Sequence, residues 1–76
     1  MWREDLIKEV QRIKGKQAAE HFEAVLLPSV LIDFLKVLKQ NRTREEYHID
    51  NGITLTLAGR KPAQITEVYL NGKKIL

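Results

Sequence analysis

The sequence predicts an α+β fold in which helices form the first half of the chain and an antiparallel β-meander of three to four strands forms the second. Apolar residues recur at helical spacing as far as Gln40 and alternate with polar residues beyond it. The pairs Asn51-Gly52 and Asn71-Gly72 are typical of the tight turns of β-hairpins. A chain of 76 residues holds one small core. We therefore expect a single domain over residues 1–76.

The first helix is predicted over about residues 3–26. Apolar residues near its start recur at spacings of four, four and three, which places them on one side: Trp2, Leu6, Val10 and Ile13. Beyond Gly15 the apolar face is turned by about a third of a turn. Glycine is unfavourable inside a helix but is tolerated there. We expect the helix to continue through Gly15 or to kink there, the alternative being that Gly15 ends it and a second helix covers about residues 16–26.

The stretch from Pro28 to Gln40 is the most apolar in the chain and is predicted to form a helix over about residues 29–40. Pro28 is expected to end the helix before it, because proline lacks an N–H and its ring collides with the preceding turn. Ser29 is a suitable cap for the new helix. The polar strip of this helix is narrow, being limited to Asp33, Lys36 and Gln40. We therefore expect the helix to lie between the sheet and the N-terminal helix.

The first two strands are predicted around the first Asn-Gly pair. Tyr47 and Ile49 alternate with polar residues in the first strand, and the second covers residues 53–58. In that second strand Ile53, Leu55 and Leu57 share one side, and we expect this side to face the core.

The third strand, residues 64–70, carries apolar residues on both sides. Val68 and Leu70 share one side and Ile65 the other, together with Tyr69. This pattern indicates either a β-bulge or an outer face that meets a partner. After the second Asn-Gly pair, residues 73–76 can return as a short fourth strand.

Side chains suited to covalent or metal chemistry are scarce. There is no cysteine, and Ser29 is the only serine. Glu46, His48 and Asp50 alternate along one strand, and we interpret this row as the wet side of the sheet rather than as a metal site. The glycines fall mainly at sheet turns and predict no phosphate-binding loop. We therefore predict that the protein is not an enzyme and uses no metal or other cofactor.

The distribution of charge and hydropathy predicts a cytoplasmic protein. Charged residues interrupt the first nine positions, unlike a secretory signal. The longest apolar run, residues 24–32, is shorter than the ~20 residues of a membrane-spanning helix. The lack of cysteine fits a reducing compartment. We expect no membrane association.

Protein contact is the predicted function. Several apolar residues fall outside the predicted core faces: Trp2, Ile7, Ile32, Ile65 and Tyr69. Surplus apolar residues of this kind often meet at an interface. We predict a small binding or regulatory protein that acts through protein–protein contacts as a homodimer, and we take Trp2, Ile7, Ile65 and Tyr69 as the interaction candidates.

Nucleic-acid binding is the alternative prediction. The net charge is +3 and basic residues lie beside turns and strand ends: Arg42, Arg44, Arg60, Lys61, Lys73 and Lys74. If Gly15 breaks the first helix, three helices and a hairpin follow in the order of a winged helix-turn-helix domain. Against this, the helix that would read DNA begins with Val30, Leu31 and Ile32, where polar side chains should contact the bases.

Overall fold

The computed structural model describes residues 1–76, which form two helices followed by a four-stranded antiparallel sheet, so the predicted α+β class is confirmed. Helix α1 covers Trp2–Lys14. Helix α2 covers residues 16–39 without a break and has three consecutive parts: an α-helical part at Lys16–His21, a π-helical turn at Phe22–Leu26, and a second α-helical part at Leu27–Lys39.

The sheet is a meander in which each strand pairs with the next one along the chain. Its strands are β1 at Arg44–Asp50, β2 at Ile53–Arg60, β3 at Gln64–Leu70 and β4 at Lys73–Lys74. The Asn-Gly pairs form the turns before β2 and β4, as predicted. Beyond β4 the chain stays beside β3, because the N–H groups of Ile75 and Leu76 donate to the Val68 carbonyl at 2.8 and 3.2 Å.

The break between the helices lies at Gly15, where continuity or a kink was expected. Gly15 has φ 95° and ψ 172°, a conformation that side-chain-bearing residues rarely adopt. Its N–H donates to the Gln11 carbonyl at 2.8 Å, and its own carbonyl accepts from Ala19 at 3.1 Å. One residue thus ends α1 and begins α2.

Pro28 does not end a helix, and this corrects the expected boundary between residues 26 and 29. In a regular α-helix its ring would meet the carbonyl of Ala24. Here the π-helical turn lies directly before it, and the Leu27 N–H reaches back to the Phe22 carbonyl. This wider turn makes room for the proline within one continuous helix. Because only two helices precede the sheet, the element order of a winged helix-turn-helix domain is absent.

Both helices lie on the same face of the sheet. The α1 helix packs beside the first half of α2 and also contacts β3, while the second half of α2 contacts β1 and β2. The expectation that the helix at residues 29–40 would lie between the N-terminal helix and the sheet is therefore wrong. The turn at Gly15 sets the helices side by side, and this arrangement leaves the outer side of α2 uncovered.

The core lies between the helices and the inner face of the sheet. The sheet contributes the residues that the alternation predicted, all of them buried: Ile53, Leu55, Leu57, Val68 and Leu70. Phe34 of α2 packs beneath Gly59, where a Cβ would come within 3.1 Å of the Phe34 ring and would collide with the Gln64 carbonyl oxygen. Gly59 thus permits a close approach between α2 and the sheet.

A β-bulge in β3 changes the side on which Ile65 lies. Ala58 pairs with Glu67 and Gly59 pairs with Ile65, so Thr66 has no partner in β2. The extra residue turns Ile65 to the inner face, where it packs against the core. The bulge, one of the two possibilities that the pattern indicated, is therefore present, and the prediction that Ile65 lies on the outer face was wrong. Neither helix is long and apolar enough to cross a membrane.

Candidate functional site

The outer side of α2 carries a row of exposed and half-buried apolar residues. Ile32 is 60% exposed and Leu35 is 37% exposed. Half-buried Pro28 and Leu31 lie beside them, and exposed Ala24 lies one turn before Pro28. We name these residues the α2 strip: Ala24, Pro28, Leu31, Ile32 and Leu35. The strip occupies about three turns of helix.

The strip exists because the second half of α2 is apolar on both sides. Its buried side is complete without any strip residue, and consists of Leu27, Val30, Phe34, Val37 and Leu38. These positions follow the three- and four-residue spacing of one helix face. Of the remaining apolar residues of the same segment, Ile32 and Leu35 are exposed, whereas half-buried Leu31 also packs against the core.

The π-helical turn keeps the two sides of α2 aligned along its whole length. Buried residues follow one another at Ala19, Phe22 and Leu27, with a spacing of five across the π-helical turn. On the opposite side, exposed Glu20 and Ala24 lead to Pro28. Glu20 thus continues the line of the strip at its amino-terminal end.

Charged residues of opposite sign mark the two ends of the strip. Glu20 is exposed at the amino-terminal end, and Lys39 is exposed at the carboxyl-terminal end. Neither of them belongs to an ion pair within the chain. The outer side of α2 therefore combines an apolar middle with an acidic end and a basic end.

Asp33, the acidic residue in the middle of the helix, is engaged elsewhere. The Tyr47 hydroxyl donates to Asp33 Oδ2 at 2.7 Å. Partial burial and this bond to a carboxylate raise the pKa of Tyr47 well above its ordinary value. Tyr47 lies on the inner face as the partner of Leu55. The pair fixes one flank of α2 to β1 and keeps the Asp33 carboxylate away from the strip.

The four predicted protein-contact residues do not form one surface. Trp2 and Ile7 of α1 and Ile65 of β3 are half-buried and pack against the core. Tyr69 lies on the opposite, outer face of the sheet, as the partner of Thr56. Its hydroxyl donates to Glu67 Oε1 at 2.6 Å, and this bond and partial burial raise the pKa of Tyr69.

Basic candidates gather at one end of the sheet. Arg44 pairs with Ala58, and the Thr43 carbonyl accepts from Gly59, so the start of β1 lies beside the end of β2. This register brings four of the predicted residues to the same end: Arg42, Arg44, Arg60 and Lys61.

Three of the six basic candidates have partners within the chain. Arg42 pairs with Glu45, and the Arg44 guanidinium lies 5.4 Å from the centroid of the Tyr69 ring. Lys73 lies elsewhere and pairs with Glu9 of α1 at 3.1 Å. Lys74 lies opposite Tyr69 in the backbone pairing of β3 and β4.

The predicted wet row on β1 makes only local contacts. His48 Nε2 lies 3.2 Å from Glu46 Oε1, and His48 Nδ1 lies 3.2 Å from the Thr54 hydroxyl. The Asp50 carboxylate accepts from the N–H of Asn51 at 2.7 Å. No three potential metal ligands converge here or elsewhere in the chain.

One pocket, which is partly open to solvent, has a volume of about 10 Å³. It lies between α1, α2 and the start of β2, and its lining includes Val10, Phe22 and Ile53. A volume of this size holds about one water molecule.

Sequence reasoning noticed only part of the strip. The sequence placed Ile32 outside the predicted core faces, but it did not single out Leu31 or Leu35 in this way. When Pro28 lies inside the helix, Leu27 completes the buried side and Leu35 is not needed there.

Comparisons with protein-family models, curated proteins and solved structures find no match for this chain.

Proposed function

We propose that this protein is a non-catalytic binding protein that acts through protein–protein contacts made by the α2 strip. The supporting observation is the exposure of Ile32, 60% of whose surface remains accessible at the centre of a continuous apolar row. Single exposed apolar residues are common on protein surfaces and need no explanation. A row over about three helical turns, with charges at its ends, is typical of a contact surface.

The energetics of burial favour a protein partner. Covering an aliphatic side chain such as Ile32 or Leu35 completely is worth about 1.5–3 kcal/mol, and partial covering is worth a corresponding fraction. Association also costs translational and rotational freedom. Several adjacent apolar side chains are therefore needed for a stable contact, and the strip supplies them.

The strip is held in place before any partner arrives. Phe34 packs beneath Gly59, and Asp33 accepts from Tyr47, so the same helical segment is attached to the sheet at two points. A surface that needs no ordering on binding loses less entropy. The lack of cysteine suits a reducing compartment, and we place the interaction in the cytoplasm.

Site-specific photocrosslinking in the native cells tests this function. A benzophenone amino acid replaces Ile32 in one variant and Lys8, which is exposed on α1, in the control. We expect illumination to give covalent adducts with protein from position 32 and few from position 8. Equal adducts at both positions, or none at position 32, would contradict the proposal.

The basic end of the sheet supports a second candidate function, the binding of single-stranded nucleic acid. Arg42, Arg44, Arg60 and Lys61 lie together there, and the Tyr69 ring next to Arg44 offers a face for base stacking. Glu46 and Glu67 share the outer face and oppose phosphate binding. Fluorescence anisotropy with labelled oligonucleotides tests this candidate. If the protein binds single-stranded nucleic acid at this end of the sheet, we expect binding that weakens with added salt and is lost in Arg60→Glu. An absence of binding at low salt would contradict this candidate function.

A further inference from the structure

We propose that the partner on the α2 strip is a second copy of this chain, whose own α2 lies antiparallel across a two-fold axis. This inference rests on the proposed function and names the partner for the same surface. A two-fold interface requires a patch that is complementary to itself. The α2 strip meets this requirement in its charges and in the sizes of its side chains.

The charges are self-complementary in the antiparallel direction. The midpoint between Glu20 and Lys39 falls between Ser29 and Val30, near the centre of the strip. A two-fold axis through that midpoint places Glu20 of one copy beside Lys39 of the other, and does so twice. In a parallel pair, Glu20 would face Glu20 and Lys39 would face Lys39. Like charges facing each other disfavour that direction.

The apolar residues share the same midpoint. Ala24 and Leu35 are equally distant from it, and so are Pro28 and Leu31. The two-fold axis therefore places small Ala24 opposite large Leu35, a combination that lets two helices approach closely. Exposed Ile32 lies near the axis and becomes covered by the other copy.

The rest of the molecule leaves this face free. Both the sheet and α1 lie on the other side of α2 or beside its first half. The Asp33 carboxylate, which would otherwise bring an unpaired charge to the middle of the interface, accepts a bond from Tyr47. Two copies can thus meet along α2 without rearrangement of either one.

Sedimentation equilibrium from about 1 µM to 1 mM, a range that covers weak and moderate affinities, tests the dimer. We expect the mass of the wild-type protein to rise from monomer to dimer within this range. Ile32→Glu should remain monomeric, with an unchanged circular dichroism spectrum, because it places two carboxylates near the axis. Lys8→Glu, a charge reversal on α1, should dimerise as the wild type does.

Charge reversals test the antiparallel arrangement. Glu20→Lys alone and Lys39→Glu alone should each weaken self-association by roughly 5- to 30-fold, since both pairs of the dimer become repulsive. An equimolar mixture of these two variants should recover association, because each Lys at position 20 or 39 then meets a Glu of the other variant.

Three results would overturn the inference. One is a monomer mass for the wild type at every concentration. Another is a dimer that persists in Ile32→Glu, and the third is a failure of the mixed variants to associate. None of these results removes the proposed function, because crosslinking at position 32 to a different protein would still support it. The absence of adducts at position 32 would contradict the proposed function, whether or not the protein dimerises through another surface.

Discussion

The two sides of α2 have similar composition and opposite surroundings. Phe34 and Val30 on the inner side are buried against the sheet, whereas Ile32 on the outer side is 60% exposed. Both sides belong to the same run of apolar residues. Apolar character therefore does not identify the core of this protein, and the position of each residue relative to the sheet does. The inner side holds the fold together and the outer side remains for contact.

The sharpest test of this contrast is truncation on each side of the helix. Phe34→Ala should lower the free energy of unfolding by about 3–5 kcal/mol, because it removes a fully buried ring and leaves a cavity. In a domain this small that loss is enough to unfold most of the protein. Ile32→Ala, its matched control, should change the free energy by no more than about 0.5 kcal/mol. Urea denaturation at low micromolar concentration measures both, and equal losses would contradict the contrast.

The close approach of α2 to the sheet predicts the next largest effect. Gly59→Ala should destabilise the protein by about 1–3 kcal/mol, since the added methyl group collides with the Gln64 carbonyl oxygen and crowds the Phe34 ring. The same urea titration measures this change. A variant as stable as the wild type would mean that the inner side of α2 lies farther from β2.

Loss of the hydrogen bond that joins α2 to β1 should have a smaller effect on the free energy of unfolding. Tyr47→Phe should lose about 1 kcal/mol, because it removes the hydroxyl that donates to Asp33. Tyr69→Phe, the control, removes a hydroxyl whose partner Glu67 lies on the same strand and joins no two elements. Its effect on the unfolding free energy should be smaller. The reverse order would argue against Tyr47 as a connection between helix and sheet.

The ionic contacts of Glu9 in α1 should make the stability of the protein depend on pH. Hydrogen bonds from Arg12 and Lys73 lower the pKa of Glu9 from 4.5 to about 2, although burial opposes this change. A carboxyl group whose pKa falls on folding stabilises the protein above its unfolded pKa. That contribution is present above pH 4.5 and is lost progressively as the pH falls towards 2.

Glu9→Gln should therefore flatten the decline of stability over this acidic range. Glu4→Gln, on the same helix but outside any ion pair, should leave the decline in place. Thermal unfolding followed by circular dichroism at a series of pH values measures the difference. Identical profiles of stability against pH for the wild type and Glu9→Gln would contradict an ionic attachment of α1 to β4.

The sheet could be predicted from the sequence because its signals are local. Alternation placed Leu55 and Leu57 on the inner face, and the Asn-Gly pairs marked two turns. The extra residue at Thr66 could not be located, because a bulge depends on which residues of the neighbouring strand are paired. Ile65 consequently moved from the predicted outer face to the inner one.

The helices were harder to divide because glycine and proline each permit two outcomes. Gly15 can continue a helix or end it, and Pro28 can end a helix or follow a π-helical turn. Packing decides between these outcomes, and packing is not visible in a local pattern. The candidate site depended on the same decision, since the strip exists only when Pro28 lies inside α2. Ile32 was the one strip residue that the sequence marked as surplus.

The concentration dependence of the urea midpoint tests most directly whether the outer side of α2 serves for contact between copies. A dimer is favoured by mass action, so association through the strip raises the midpoint as the protein concentration rises. We expect this rise from about 1 µM to 1 mM in the wild type and none in Ile32→Glu. A wild-type midpoint that stays constant across the range would contradict the use of the α2 strip as a self-contact surface.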